Sequence, residues 1–224
     1  MATAPDLTTT SYAILGLLAL KPWTTYELAQ QMDRAIREFW PRARSKIYEE
    51  PKKLVAHGLA KATKEKVGKR PRTVYSITPK GRRALTAWLP TPVAAPGPAL
   101  EFEHLMKVFF AEHGSKDDLL ATMQSLQKWV DNQHAQGVEI SGGYLEGRGP
   151  FPGRLAWNIL VGEFLSGFDD LVDRWLEWAT ATVEGWPDDI NKAKPDLAAL
   201  ERMARRSEAG MERAASRARS RSVS

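Results

Sequence analysis

The sequence predicts a mainly α fold: an N-terminal winged helix-turn-helix, in which a β-hairpin wing joins a three-helix core, followed by an α-helical dimerisation domain. Three observations carry this reading. The 224 residues sum to +5, but residues 1–90 hold 17 Lys/Arg against 7 Asp/Glu (+10), residues 91–200 hold 8 against 17 (−9), and residues 201–224 hold 7 against 3 (+4). Within the basic part the apolar periodicity changes from helical to alternating near Ala60, and back near Pro79. Four prolines in the nine residues Pro90–Pro98 then form a semi-rigid linker between two compositionally distinct halves. The expected organisation is a basic unit over 1–89, the linker over 90–99, a helical domain over 100–186 and a partly disordered basic tail over 187–224.

The elements follow in order. Thr8, Thr9, Thr10 and Ser11 offer caps for a helix carrying Tyr12, Ile14, Leu15, Leu17, Leu18 and Leu20, apolar on most sides and suited to the centre of a core. Thr24 with Glu27 three residues later is a capping-box pattern, opening a second helix through Tyr26, Leu28, Met32 and Ile36 that Pro41 ends. Ser45 can cap a third helix with Ile47, Tyr48, Leu54 and Val55, closed near Gly58. Ala60–Val67 and Arg72–Thr78 read as strands around Gly68–Pro71, with Thr73, Tyr75 and Ile77 on one face. Thr78-Pro79 is an N-cap followed by proline at the first helical position, starting a helix through Leu85, Trp88 and Leu89. Beyond the linker the helical blocks are Leu100–His113, Ser115–Val138 and Gly153–Glu184. Five glycines and two prolines make Ser141–Gly153 a loop. Ser207–Ser224 reads as frayed helix passing into a disordered tail, with DNA attraction and plain disorder both open for its charge.

Composition excludes several chemistries. With no cysteine there is no disulfide scaffold, thiolate zinc site or thiol catalysis, and a reducing compartment fits. His57, His104, His113 and His134 share no metal-ligand spacing, so no metal and no cofactor are expected. The glycines around Ser141 and Arg148 lack the strand and the Gly-Lys-Ser/Thr of a phosphate loop. Asp169, Asp170 and Asp173 read as a solvated helix face, and no nucleophile–base set accompanies them, so an enzyme is not expected. The apolar run Tyr12–Leu20 is about half the ~20 residues that span a bilayer. A soluble cytoplasmic protein without membrane attachment is the expectation.

The basic unit carries the functional signal. Arg42, Arg44 and Lys46 surround the start of the third helix, and Lys69, Arg70 and Arg72 lie on the hairpin, with six cations and no acid between Val67 and Ala84. A winged helix-turn-helix places its third helix in the major groove and its wing along the backbone, so double-stranded DNA is the expected partner. An acidic protein meeting the same positive patch is the alternative.

These residues also resemble a family. Ile14-Leu15-Gly16-Leu17-Leu18, Tyr26-Glu27-Leu28, Phe39-Trp40-Pro41, Ile47-Tyr48, Gly58-Leu59 and the run Lys69 to Gly81 look like the PadR-type transcriptional regulators, in order over Ser11–Leu89. Lys107-Val108-Phe109-Phe110 resembles the opening of that family's helical region. The resemblance implies a homodimeric repressor whose C-terminal helices pair the subunits and which a small, often aromatic effector releases from DNA. It carries Ser45, Lys46 and Tyr48 to the DNA-reading helix, Lys69, Arg70 and Arg72 to the wing, and Tyr26 to a backbone-contacting position. Tyr48 reads equally as a core residue, Tyr26 reads first as a packing residue, and Phe39 and Trp40 read as a packed stop. Pro51 departs from the leucine of many relatives. A mid-helix proline costs about 3 kcal/mol, so either the helix kinks or its base-reading part is confined to Ser45–Glu50.

In the acidic half, Gly153–Glu184 carries an apolar band wider than a single stripe. Two or three helices cannot cover it, so a homodimer is expected, with Phe109, Phe110, Leu160, Phe164, Leu171 and Trp175 at its interface. Trp157, Phe164, Phe168, Trp175 and Trp178 could alternatively line an aromatic effector pocket.

Overall fold

The computed structural model describes residues 7–36, 39–40, 46–67, 70–93 and 97–221, with backbone alone for 66, 67 and 70. It divides into two compact units, Met1–Pro98 and Ala99–Ser224.

The first unit is built on α1 (Thr9–Leu20), whose Ile14, Leu15, Leu17 and Leu18 are all buried. Thr8 caps it through a reciprocal box with Ser11. A two-residue strand, β1 (Trp23–Thr24), precedes α2 (Thr25–Ala35), and the Thr24–Glu27 capping box forms as its spacing requires. After α3 (Glu50–Ala56) come β2 (Ala60–Val67), β3 (Arg70–Ile77) and α4 (Pro79–Trp88). The sheet order is β1-β3-β2, antiparallel throughout. Tyr75 is the buried side chain of β3, as the alternation predicts. The short β1 is an addition: its two residues pair with Val74 and Tyr75, a tertiary contact that leaves no local signal.

Three element boundaries correct the sequence reading. α2 stops at Ala35, with Ile36 as its C-cap, so Pro41 is not its terminator. The expected Ser45–Gly58 helix is broken: Lys46 is helical, Ile47–Glu49 form a turn, and α3 restarts at Glu50. Pro51 therefore occupies the first turn of a new helix, where its missing N–H is not needed, and no mid-helix kink arises. The wing strand begins at Arg70, with Pro71 paired opposite Lys66, which shortens the expected loop to residues 68–69, outside the described residues.

The second unit contains α5 (Glu103–Phe109), α6 (Lys116–Leu145), α7 (Leu155–Glu184) and α8 (Leu197–Arg221). Ser115 and Asp118 cap α6 reciprocally, as predicted. α6 and α7 form an antiparallel hairpin: Leu119, Met123, Leu126 and Val130 bury against Val172, Leu176, Ala179 and Val183. Gln127 donates to Asp173 at 2.9 Å and Lys116 donates to the carbonyls of Glu184 and Trp186, fixing the register.

Two expectations fail here. Ser141–Leu145 is helix, not loop; glycine costs about 1 kcal/mol per position, and the long helix carries Gly142 and Gly143 without breaking. The chain turns only at Gly147, whose φ of 73° suits glycine. Nor does the tail fray over its described residues, since α8 runs unbroken to Arg221. Among the described residues no helix is long and apolar enough to cross a membrane.

Candidate nucleic-acid interface

The turn Lys46–Glu49 is held from within. Ile47 and Glu50 point inward and are buried, which leaves Lys46, Tyr48 and Glu49 facing outward. Tyr48 is 63% exposed and Tyr26 70%, so the packing reading fails for both. The Tyr26 hydroxyl accepts a hydrogen bond from Gln30 at 3.0 Å and remains open to a phosphate. Phe39 is likewise exposed, against the packed-stop reading, whereas Trp40 is partly buried and donates to the Thr10 hydroxyl at 3.0 Å.

Two adjacent residues of α1 grip the chain on either side of this turn. Thr10 takes the Trp40 indole, and the fully buried Ser11 hydroxyl donates to the Glu50 carboxylate at 2.5 Å. A buried carboxylate without a donor would be costly, so this bond ties the start of α3 to the core. Nothing in the local sequence joins residues 39 positions apart; only the fold reveals the pair.

The other end of α3 is tied to the wing. Gly58, at φ 70°, closes the helix in a Schellman arrangement: its N–H reaches the Val55 carbonyl (2.9 Å), and the Leu59 N–H reaches that of Leu54 (2.8 Å). Thr78, the N-cap of α4, donates through its hydroxyl to the Gly58 carbonyl (2.8 Å), and Lys80 donates to that of His57 (2.9 Å). A Cβ at Gly81 would lie 2.1 Å from the Leu59 carbonyl oxygen, so only glycine allows this approach. The hairpin base and the end of α3 thus form one rigid corner.

Charge on the wing is less free than the sequence implies. Arg72 pairs with Glu65 across the strands, Nη2 to Oε2 at 2.8 Å, at directly opposed register positions. The Arg72 charge also lies close enough to contribute, weakly, to the lowered Glu27 pKa. There the chief cause is the Thr24 backbone N–H, followed by the Thr24 hydroxyl. Lys52 is partly engaged by Glu49 at 3.2 Å. Lys46 is exposed. Arg42, Arg44, Ser45 and Lys69, expected on the DNA face, lie outside the described residues, and for Arg70 the backbone alone is described.

Comparison with known proteins shows what this unit is similar to. Residues 14–87 match the Transcriptional regulator PadR-like family. The chain is 30% identical over 100 residues to the negative transcriptional regulator PadR of Bacillus subtilis, covering 44% of this chain and 54% of that protein. It is 32% identical over 88 residues to a probable transcriptional regulator of Mycobacterium tuberculosis, covering 39% and 47%. The chain thus spans about half the length of these relatives. The crystal structure of B. subtilis PadR with operator DNA has the same fold: TM-score 0.62 at 22% identity, over 79% of this chain and 99% of that one. The same PadR with p-coumaric acid gives 0.56 at 23%, with the same coverage.

The C-terminal candidates divide by helical face. On α7, Val172, Leu176, Ala179 and Val183 meet α6, while the neighbouring face carries Trp157, Leu160, Phe164, Leu171 and Trp178, all exposed. Phe168 and Trp175 lie between, partly buried against the hairpin core, so Trp175 is less available to a partner than expected. Phe109 and Phe110 are exposed and pack edge-to-face on each other, ring centroids 5.0 Å apart. The wide apolar band of the sequence is therefore two adjacent stripes, one of them uncovered.

Proposed function

We propose that this PadR-like chain is a homodimeric, sequence-specific DNA-binding repressor that acts in the cytoplasm and is released by a small aromatic effector. The observation that carries this is the outward-facing turn Lys46–Glu49, braced by Ser11 and Thr10 on one side and by the wing corner on the other. Lys46 and Tyr48, with Arg42, Arg44 and Ser45 beside them in sequence, enter the major groove. Tyr26 and the wing residues Lys69, Arg70 and Arg72 meet the phosphates. Glu65 gives up Arg72 to a phosphate on binding.

Dimerisation uses the uncovered stripe of α7, with Leu160, Phe164 and Leu171 at its centre and Phe109 and Phe110 contributing from α5. Two heads held by one dimer read a pseudo-palindrome. The effector acts through differential affinity for DNA-competent and DNA-incompetent dimers. Trp157, Phe164 and Trp178 are the exposed aromatics available to it, Phe168 and Trp175 the partly buried backing. The PadR of B. subtilis, crystallised with operator DNA and with p-coumaric acid, supports both halves of the reading.

Footprinting on the promoter regions flanking the gene tests it. The expected result is a protected site with dyad symmetry, weakened by p-coumaric acid or a related phenol. Absence of sequence-selective protection, or a monomer by light scattering at micromolar concentration, overturns the proposal.

A further inference from the structure

The basic C-terminal segment plays no part in the winged-helix reading, yet it is one continuous helix, α8, 25 residues from Leu197 to Arg221. Among its residues Ala199 alone is buried, so packing contributes little to it. Alanine and arginine, its commonest residues, are strong helix formers. Its cations are seven arginines and no lysine, against three glutamates.

These charges are sorted around the helix. At about 100° per residue, Arg202, Arg206, Arg213, Arg217 and Arg221 fall within an arc of roughly 100°. Glu201, Glu208 and Glu212 gather within roughly 40° on the far side. Arg205 and Arg219 lie on the glutamate side, and Arg205 pairs with Glu201 at 3.3 Å. On the arginine stripe, Arg202 meets Asp196 at 3.5 Å. Arg206, Arg213 and Arg217 are exposed and have no ion pair among the described residues.

We propose that this stripe is a second DNA surface, in which Arg206, Arg213 and Arg217 grip backbone phosphates of the duplex that the winged helix binds. The inference rests on the DNA-binding reading above. Guanidinium groups bind phosphate oxygens through two parallel hydrogen bonds, which the all-arginine composition suits. Keeping carboxylates off the stripe removes the repulsion a polyanion would otherwise meet. The three arginines advance along about 16 Å of helix, the scale of half a turn of duplex. Two such stripes would repel each other, which disfavours pairing with a second copy. The flanking apolar sector, with Leu197, Leu200 and Met211 as its large side chains, holds no aromatic residue to seat in a membrane interface and makes a poor anchor. Tethering to a head already on DNA makes even a weak phosphate contact effective.

The test uses the full chain and the triple variant Arg206→Gln/Arg213→Gln/Arg217→Gln, with helix content checked by circular dichroism. Binding to a fluorescent 40-base-pair duplex of random sequence is followed by anisotropy across a salt series. Each lost phosphate contact flattens the plot of log K against log salt by about 0.9, so the slope is expected to fall by about 2.7 per chain. An unchanged slope in a variant of normal helicity overturns the proposal. So does a loss explained by dissociation of the dimer in sedimentation, or tighter retention of the wild type on phosphatidylglycerol vesicles than on duplex. If the wild-type chain binds no duplex at all, the winged-helix reading fails with it. A wild type that binds and a triple variant that binds identically removes the α8 surface alone.

Discussion

The two units solve the same problem, covering apolar side chains, with opposite outcomes. In the N-terminal unit Ile14, Leu15, Leu18, Leu28, Ile47, Leu54 and Leu59 converge from α1, α2, the Lys46–Glu49 turn, α3 and the corner that closes it, each 2% exposed or less. The C-terminal unit buries one stripe of α7 against α6 and leaves Phe164 71% exposed on the next stripe round the helix. At about 25 cal/mol per Å² of apolar surface, each such side chain leaves roughly 1.5–3 kcal/mol of burial unrealised. The difference teaches that the first unit covers its large apolar side chains within one chain, whereas the second leaves a whole stripe of them uncovered. The proposed function follows the same division, with the finished unit presenting a rigid surface and the uncovered stripe assigned to pairing two copies.

The largest test breaks the second unit without touching the first. Phe164→Glu sets a carboxylate in the centre of the uncovered stripe. It should convert the dimer to monomer in sedimentation at micromolar concentration and lower affinity for a dyad site on the order of 100-fold, since two linked heads bind far better than one. Thermal unfolding of the N-terminal unit should not move.

Within the first unit, wing and turn are expected to differ in kind. Arg70→Glu should weaken binding to every duplex by on the order of tenfold at low salt and flatten the salt dependence. Lys46→Ala should cost about 1–3 kcal/mol on the operator and less on random DNA, relaxing base preference. Parallel titrations of operator and scrambled duplex separate the two. Equal losses on both sequences for both variants would remove the division of labour.

The brace behind the turn gives a stability test. Ser11→Ala deletes the 2.5 Å donor to Glu50 and strands a buried carboxylate, at a cost of about 1–3 kcal/mol. Calorimetry should show the transition of the N-terminal unit falling by several degrees while that of the helical unit stays fixed. A shift of both would mean that the two units do not unfold independently.

Much of this was legible in the sequence, and what was legible was local. The Thr24–Glu27 and Ser115–Asp118 boxes, the Thr78-Pro79 helix start and the Gly58 closure each need a few neighbouring residues, and each forms. Phase along the strand placed Tyr75 correctly for the same reason. What failed was set by distant partners. β1 exists only because β3 lies beside it, and the break before α3 depends on Ile47 and Glu50 being drawn into the core from either side of a solvent-facing turn. Glycine content overruled neither α6 at Gly142 nor α8 at Gly210, because a penalty near 1 kcal/mol does not stop a long helix. Of the candidate site, residue types were readable but availability was not. Arg72 looked free until its register placed Glu65 opposite, and Tyr26 looked packed until α2 turned it outward.

The smallest expected effect isolates the Thr24 cap. Hydrogen bonds from the Thr24 backbone N–H and hydroxyl, with weaker help from Lys21 and Arg72, hold the Glu27 carboxyl below its ordinary value of 4.5. A carboxyl depressed in the folded state contributes stability that is fully present above its unfolded pKa and is lost as pH falls through the folded one. Glu27→Gln keeps the acceptor geometry of the box but removes the titration. At pH 7 the variant should therefore be less stable by a few tenths of a kcal/mol, the scale left after solvent screening. The gap should close as pH drops from about 4.5 through the lower folded value, read from denaturant midpoints of the N-terminal unit. A gap that persists unchanged at pH 3 would assign the cap's contribution to hydrogen-bond geometry alone, and would separate it from the charge that Arg72 brings to this corner of the wing.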